Sequence, residues 1–185
     1  MKIAITGGIG SGKSYVCSII RKHGIDIYDC DSAAKRIIQT SPEIRKQLTG
    51  LIGSGTYTDD GRINKAAIAS FLLKSAENTI AINNIVHPAV AEDFRNSGLK
   101  WMECAILYES GFESLVDKVI AVTAPVETRI ERIIHRDGIT RGKALEWIAR
   151  QMPQEEVSNK ADYVITNDGN TDLNKQINNI LSNFY

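Results

Sequence analysis

The segment Gly7-Gly8-Ile9-Gly10-Ser11-Gly12-Lys13-Ser14 constrains this chain more than any other part of it. It satisfies G-x-x-x-x-G-K-S/T in the context that gives the pattern a mechanism. Before it runs the apolar stretch Ile3-Ala4-Ile5, read as a buried strand, and after it Val16, Ile19, Ile20 and His23 recur at helical spacing. Glycines let the backbone turn its N–H groups around phosphate oxygens, the helix N-terminus adds partial positive charge, and a lysine supplies a point charge to the β/γ phosphates. The pattern predicts nucleotide binding by Gly8, Ile9, Gly10, Ser11, Gly12, Lys13, Ser14 and Tyr15, with the Ser14 hydroxyl on Mg²⁺. Gly24 stands where a helix-ending glycine would, and Ile25-Asp26-Ile27-Tyr28 resumes an extended pattern. The opening is therefore a βαβ unit, which favours a parallel α/β sheet.

From Ser32 to Arg95 the reading is almost wholly helical, with a helix start at Ser41-Pro42-Glu43 and a turn at Asp60-Gly61. Met102 to Leu107 reads as a third strand, Val119 to Thr123 as a fourth and Tyr163-Val164-Ile165 as a fifth. An amphipathic helix bearing Leu173, Ile177, Ile180, Leu181 and Phe184 closes the chain. Lys plus Arg total 22 and Asp plus Glu total 22, so no global field draws the chain to nucleic acid or an anionic membrane. Cys17, Cys30 and Cys104 form neither a disulfide framework nor a metal pair. With no signal-like start or long apolar run, a reduced cytoplasmic setting is expected, without membrane or nucleic-acid partners.

Two further patterns carry chemistry. Asp29-Cys30-Asp31 places two carboxylates at the end of the second strand, where residues i and i+2 point the same way. One acid, assigned as Asp31, would accept the proton of an attacking hydroxyl, and Asp29 would order Mg²⁺. The alternative is that Asp31 or Ser32 caps the next helix. Arg129, Arg132 and Arg136 share one face of a helix that Asp137-Gly138 breaks before Arg141, which suggests an arginine-bearing lid. Arg136 and Arg141 are the expected catalytic cations, and Arg129 is expected to tolerate charge reversal better. Asn159-Lys160-Ala161-Asp162 matches a guanine-specificity pattern but precedes its apolar run instead of following it, which argues against a GTPase. His23, His87 and His135 lack metal-ligand spacing.

The ordered set resembles the dephospho-CoA kinase family over essentially the whole chain. His87-Pro88 is similar to that family's Leu/His-Pro element, and Leu107-Tyr108-Glu109 looks like the end of its Pro-Leu-Leu-Phe-Glu strand. Arg136-Asp137 with Thr140-Arg141 resembles its lid sequence, and Ala161-Asp162-Tyr163-Val164-Ile165 with Asn167 its closing signature. The resemblance implies a P-loop kinase-like α/β fold, a five-stranded parallel sheet flanked by helices. It implies a nucleotide-binding core at 1–31 and 99–185, a lid within about 136–150, and a helical acceptor-binding insertion at 32–98. The implied reaction moves the γ-phosphoryl of ATP to the ribose 3′-hydroxyl of dephospho-CoA, with Mg²⁺ and with Asp29, Asp31, His87 and Glu109 toward the acceptor. A nucleoside or nucleotide monophosphate kinase shares the loop, sheet and lid, and a slowly hydrolysing binding switch shares the loop. Ala105 and Trp147 depart from the family pattern, which favours proline and arginine there.

Lys13→Ala should lower turnover about 10²-fold or more while the protein stays folded, measured by steady-state kinetics beside thermal denaturation.

Overall fold

Strand β1 (Ile3–Thr6) is buried along its whole length, as a strand covered on both faces must be. In the computed structural model, which describes residues 1–184, it is the centre of a parallel sheet ordered β2-β3-β1-β4-β5. The other strands are β2 (Ile27–Asp29), β3 (Trp101–Glu103), β4 (Lys118–Thr123) and β5 (Tyr163–Thr166). Ile5 lies opposite Glu103 on one side and Ile120 on the other.

Alternation along the strands sends Ile3, Ile5, Trp101, Ile120, Val122 and Ile165 into one core. Helix α1 (Lys13–Arg21) covers that core with Val16, Cys17, Ile19 and Ile20, and the last helix, Leu173–Leu181, adds Ile177, Ile180 and Leu181. Phe184 closes it edge-on to Trp101 and Tyr163, with ring centroids 5.7 and 5.4 Å away.

The third strand is shorter than the apolar run Met102 to Leu107 suggested. A strand continues only while a neighbour accepts its hydrogen bonds, and β1 gives way to the glycine loop after Thr6. Cys104 N–H still donates to Ile5 O at 3.0 Å, after which the chain turns, with Ser110 N–H on Ile106 O and Phe112 N–H on Leu107 O. Leu107-Tyr108-Glu109 therefore lies in a turn, not at a strand end.

Contacts divide the chain into two compact units, one of residues 1–28 with those from Leu99 onward, the other Asp29–Gly98. The second unit contains α2 (Cys30–Thr40), α3 (Pro42–Ile52), α4 (Lys65–Leu72) and α5 (Ala76–Asn96). Leu48 of α3 and Phe94 of α5 are wholly buried there, and Arg36 pairs with Asp93 at 2.6 Å. Because α2 begins at Cys30, Asp31 is helical and exposed, and the i, i+2 alternation of a strand does not apply to the acid pair. The capping residue is Asp29, not Asp31 or Ser32: its carboxylate accepts from Ser32 N–H at 3.0 Å and Ser32 Oγ at 2.9 Å. Asp31 occupies the first helical turn, where the macrodipole favours an acid.

Ile120→Ala, which empties a fully packed site in the central core, should lower unfolding free energy by about 2–5 kcal/mol in urea titration without changing the slope.

Candidate active site

A loop that binds phosphate must turn its N–H groups inward and therefore its carbonyls outward, since successive trans peptides oppose the two. The loop between β1 and α1 has this polarity. Arg129 Nε donates to Ile9 O at 2.9 Å, Arg132 Nη1 to Gly10 O at 3.3 Å and Ser11 O at 3.2 Å, and Asn167 Nδ2 to Ser11 O at 2.9 Å. The N–H groups of Gly10, Gly12, Lys13 and Ser14 have no hydrogen-bond acceptor among the described residues. Ile9 N–H instead donates to Gln151 Oε1 at 2.7 Å, and Ser11 N–H to Gly8 O at 3.1 Å. Gly10 has φ 80°, and a Cβ on it would stand 2.6 Å from the Arg129 carbonyl oxygen, so a side chain is excluded twice.

An acid bonded to this cradle is one that sequence reasoning missed. Alternation along β3 puts Glu103 on the same face as Trp101, where α1 packs, and the end of the strand brings it to the first turn of that helix. Glu103 Oε1 accepts from Lys13 Nζ at 2.6 Å and Ser14 Oγ at 2.7 Å, and the Cys17 thiol stands close enough to act on its charge. Burial alone would raise the Glu103 carboxyl, but Lys13, Ser14 and Cys17 together hold it below the usual glutamate value. The same surroundings push the Cys17 thiol far up, through burial first and the Glu103 charge second. A sequence signal existed: a carboxylate inside an apolar run is costly unless partnered, and this run lies beside the strand that feeds the loop.

The basic segment folds into α6 (Val126–Asp137) and α7 (Arg141–Ala149), with Gly138 left-handed at the break and Thr140 capping α7. Ile130, Ile133 and Ala144 form a small core with Ile9 of the loop and Trp147 of α7 packed against it. The arginines fall into two pairs. Arg129 is only 5% exposed and, with Arg132, binds loop carbonyls, which overturns the expectation that Arg129 tolerates charge reversal. Arg136 and Arg141 are exposed and held by acids, Arg136 by Asp137 at 2.7 Å and Arg141 by both oxygens of Glu127 at 2.7 and 2.8 Å. The hydrogen bonds that these guanidinium groups donate to the acids are the chief cause raising both arginine pKa values.

A groove of about 530 Å³ opens beside Gly12, bounded by Tyr15, Arg132, Asn167 and Thr171. Asp162 bonds Lys118 Nζ at 2.6 Å and Val119 N–H at 2.9 Å, so the guanine-like tetrapeptide ties the starts of β4 and β5 at the sheet end away from the loop. Glu109 is exposed, and its carboxylate accepts from Met152 N–H at 3.0 Å. In the other unit His87 is half-buried on α5, and burial lowers its pKa. No cluster of three His, Cys, Asp or Glu able to hold a metal exists among the described residues, and no described helix is long and apolar enough to cross a membrane.

Known proteins resemble this chain in sequence and fold. The family profile described as dephospho-CoA kinase matches residues 1–172. A dephospho-CoA kinase of Bacteroides fragilis is 38% identical over 192 aligned residues, covering 100% of this chain and 93% of that one. The chain belongs to the dephospho-CoA kinase family. Among solved structures, a Thermus thermophilus protein superposes with TM-score 0.86 at 30% identity, over 100% of this chain and 98% of that one. The Campylobacter jejuni dephospho-CoA kinase gives 0.69 at 21% identity, over 100% and 98%, a likeness of fold.

Trp147, which stands where the resemblance implies an arginine, packs partly buried against the small core. Arg150, one turn further on, is not free of partners: it pairs with Glu146.

Glu103→Ala should reduce turnover about 10²-fold and stability by up to about 3 kcal/mol, because Lys13 and Ser14 lose their common acceptor. Kinetics and chemical denaturation on the variant check both.

Proposed function

We propose that this kinase transfers the γ-phosphoryl group of ATP to the ribose 3′-hydroxyl of dephospho-CoA. The observation that carries the reading is the Lys13–Ser14–Glu103 cluster at the mouth of a loop whose Gly10, Gly12, Lys13 and Ser14 N–H groups find no acceptor among the described residues. Those N–H groups and the start of α1 take the phosphates, and Lys13 swings from Glu103 to the β/γ oxygens. The groove beside Tyr15, Arg132 and Asn167 takes the purine. Ser14 and Glu103 are adjacent hard oxygen donors, a set that suits Mg²⁺, which retains waters and draws its other ligands from phosphates. When bound there, Mg²⁺ neutralises charge on the β and γ oxygens. Glu103 replaces Asp29 in this role, because both Asp29 oxygens are engaged at the start of α2.

Asp31 takes the proton of the 3′-hydroxyl as its oxygen attacks the γ-phosphorus, the bond to the β-bridging oxygen breaks, and ADP leaves. Arg136 and Arg141 exchange Asp137 and Glu127 for phosphate oxygens as the lid meets its substrate. In this scheme His87 and Asp29 bind dephospho-CoA. Glu109 anchors the segment after α7 through Met152 and has no substrate role in this scheme. The three free, buried cysteines suit the cytoplasm.

Coupled ADP release with dephospho-CoA, AMP, uridine, pantothenate or no acceptor tests the reading: only dephospho-CoA should give fast turnover. A comparable rate with AMP would favour a nucleotide monophosphate kinase, and an acceptor-independent rate a switch. Asp31→Asn should lower turnover about 10²–10⁴-fold with ATP affinity little changed. Unchanged turnover would remove Asp31 as the base.

A further inference from the structure

Arg129 is a buried cation without a counter-ion. It is 5% exposed, no carboxylate among the described residues lies within ion-pair distance, and its one hydrogen bond runs from Nε to Ile9 O at 2.9 Å. A guanidinium carries five N–H donors, and the four on Nη1 and Nη2 have no acceptor among the described residues, these nitrogens being the part of the side chain that still meets solvent. A buried charge in this state is costly unless something anionic completes it. Its head group lies directly beneath the loop: a Cβ on Gly8 would approach Nη2 to 2.5 Å, and the Arg129 backbone packs against Gly10. Burial lowers its pKa, yet arginine stays protonated at any working pH, so the positive charge is permanent.

Arg132 differs on each point. It spreads its donors over the carbonyls of Gly10, Ser11 and Asn167 and lines the groove beside Gly12. Arg136 and Arg141 already have acids. Arg129 alone of the four combines burial, missing charge compensation and contact with the segment that encloses phosphate.

We propose that Arg129 is a positioning residue of the phosphate cradle: it holds the Ile9 carbonyl turned outward and lends the loop a fixed positive charge whose counter-ion is the nucleotide polyphosphate. The Gly10 N–H, opposed to the Ile9 carbonyl in the same peptide plane, is thereby aimed into the cradle. Gln151 holds the Ile9 N–H in turn, so the residue is clamped at both of its polar groups, by α6 and by the segment after α7. Loss of Arg129 should therefore weaken ligands according to their phosphate charge and leave the acceptor side alone.

The inference rests on the loop binding ATP, and wild-type titration with ATP tests that reading separately. Calorimetric titration with ATP, ADP and adenosine, alongside thermal denaturation and the KM for dephospho-CoA, then compares Arg129→Gln and Arg129→Lys with wild type. Glutamine keeps an N–H able to reach Ile9 but removes the charge. Its Kd for ATP should rise about tenfold or more, that for adenosine less than about twofold, and the KM for dephospho-CoA should hold. Arg129→Lys keeps the charge, so its ratio of ATP to adenosine affinity should stay within about threefold of wild type. Wild-type ATP affinity in Arg129→Gln would overturn the proposal, as would equal weakening of ATP and adenosine, the mark of a purely structural residue. If Arg129→Gln does not fold, the lysine variant decides alone, and a collapse of its ATP to adenosine ratio overturns the proposal.

Discussion

Everything around the Gly7–Ser14 loop answers one constraint: a backbone that offers N–H groups to phosphate must find partners for the carbonyls it turns the other way. Three consecutive carbonyls, those of Ile9, Gly10 and Ser11, are met by Arg129, Arg132 and Asn167, which come from α6 and from the end of β5. The parallel sheet makes this possible, because the loop after β1, the start of α6 after β4 and Asn167 after β5 all emerge at carboxyl ends of neighbouring strands. Gly12, the N-cap of α1, supplies no side-chain cap, so the helix end keeps its N–H groups for a ligand.

The same sheet sets the electrostatics beneath the cradle. β3 delivers Glu103 against α1, where one carboxylate oxygen collects Lys13 and Ser14 and so holds both functional side chains in place before nucleotide arrives. A buried lysine without that acid would be expensive, and a buried acid without lysine equally so. The pair settles both while leaving Lys13 one rearrangement away from a phosphate.

How much was legible in the sequence follows from which forces act locally. The glycine loop, the βαβ opening and the apolar runs announced a five-stranded parallel sheet because loop chemistry and strand burial are written in adjacent residues. The end of β3 was not legible, since it is set by where β1 stops pairing, a fact about a distant segment. Helical spacing put Arg129 and Arg132 on one face of α6 but could not say that the loop, and not solvent, lies against that face. Asp31 was misplaced for a similar reason: α2 starts immediately after Asp29, and the capping bonds from Ser32 decide that boundary. Glu103 was passed over because a single acid ending a short strand carries no motif of its own, although its burial demanded a partner.

The central claim is that the cradle is formed before nucleotide binds. Amide hydrogen exchange of residues 8–14 in the ligand-free chain, read residue by residue by NMR, tests it most directly. A preformed loop predicts protected amides at Ile9 and Ser11, which are bonded to Gln151 and Gly8, with Gly10 and Gly12 exchanging fast until ATP is added and slowly afterward. Fast exchange at Ile9 and Ser11 without ATP, slowing only when it binds, would mean that the nucleotide builds the loop and would contradict the account.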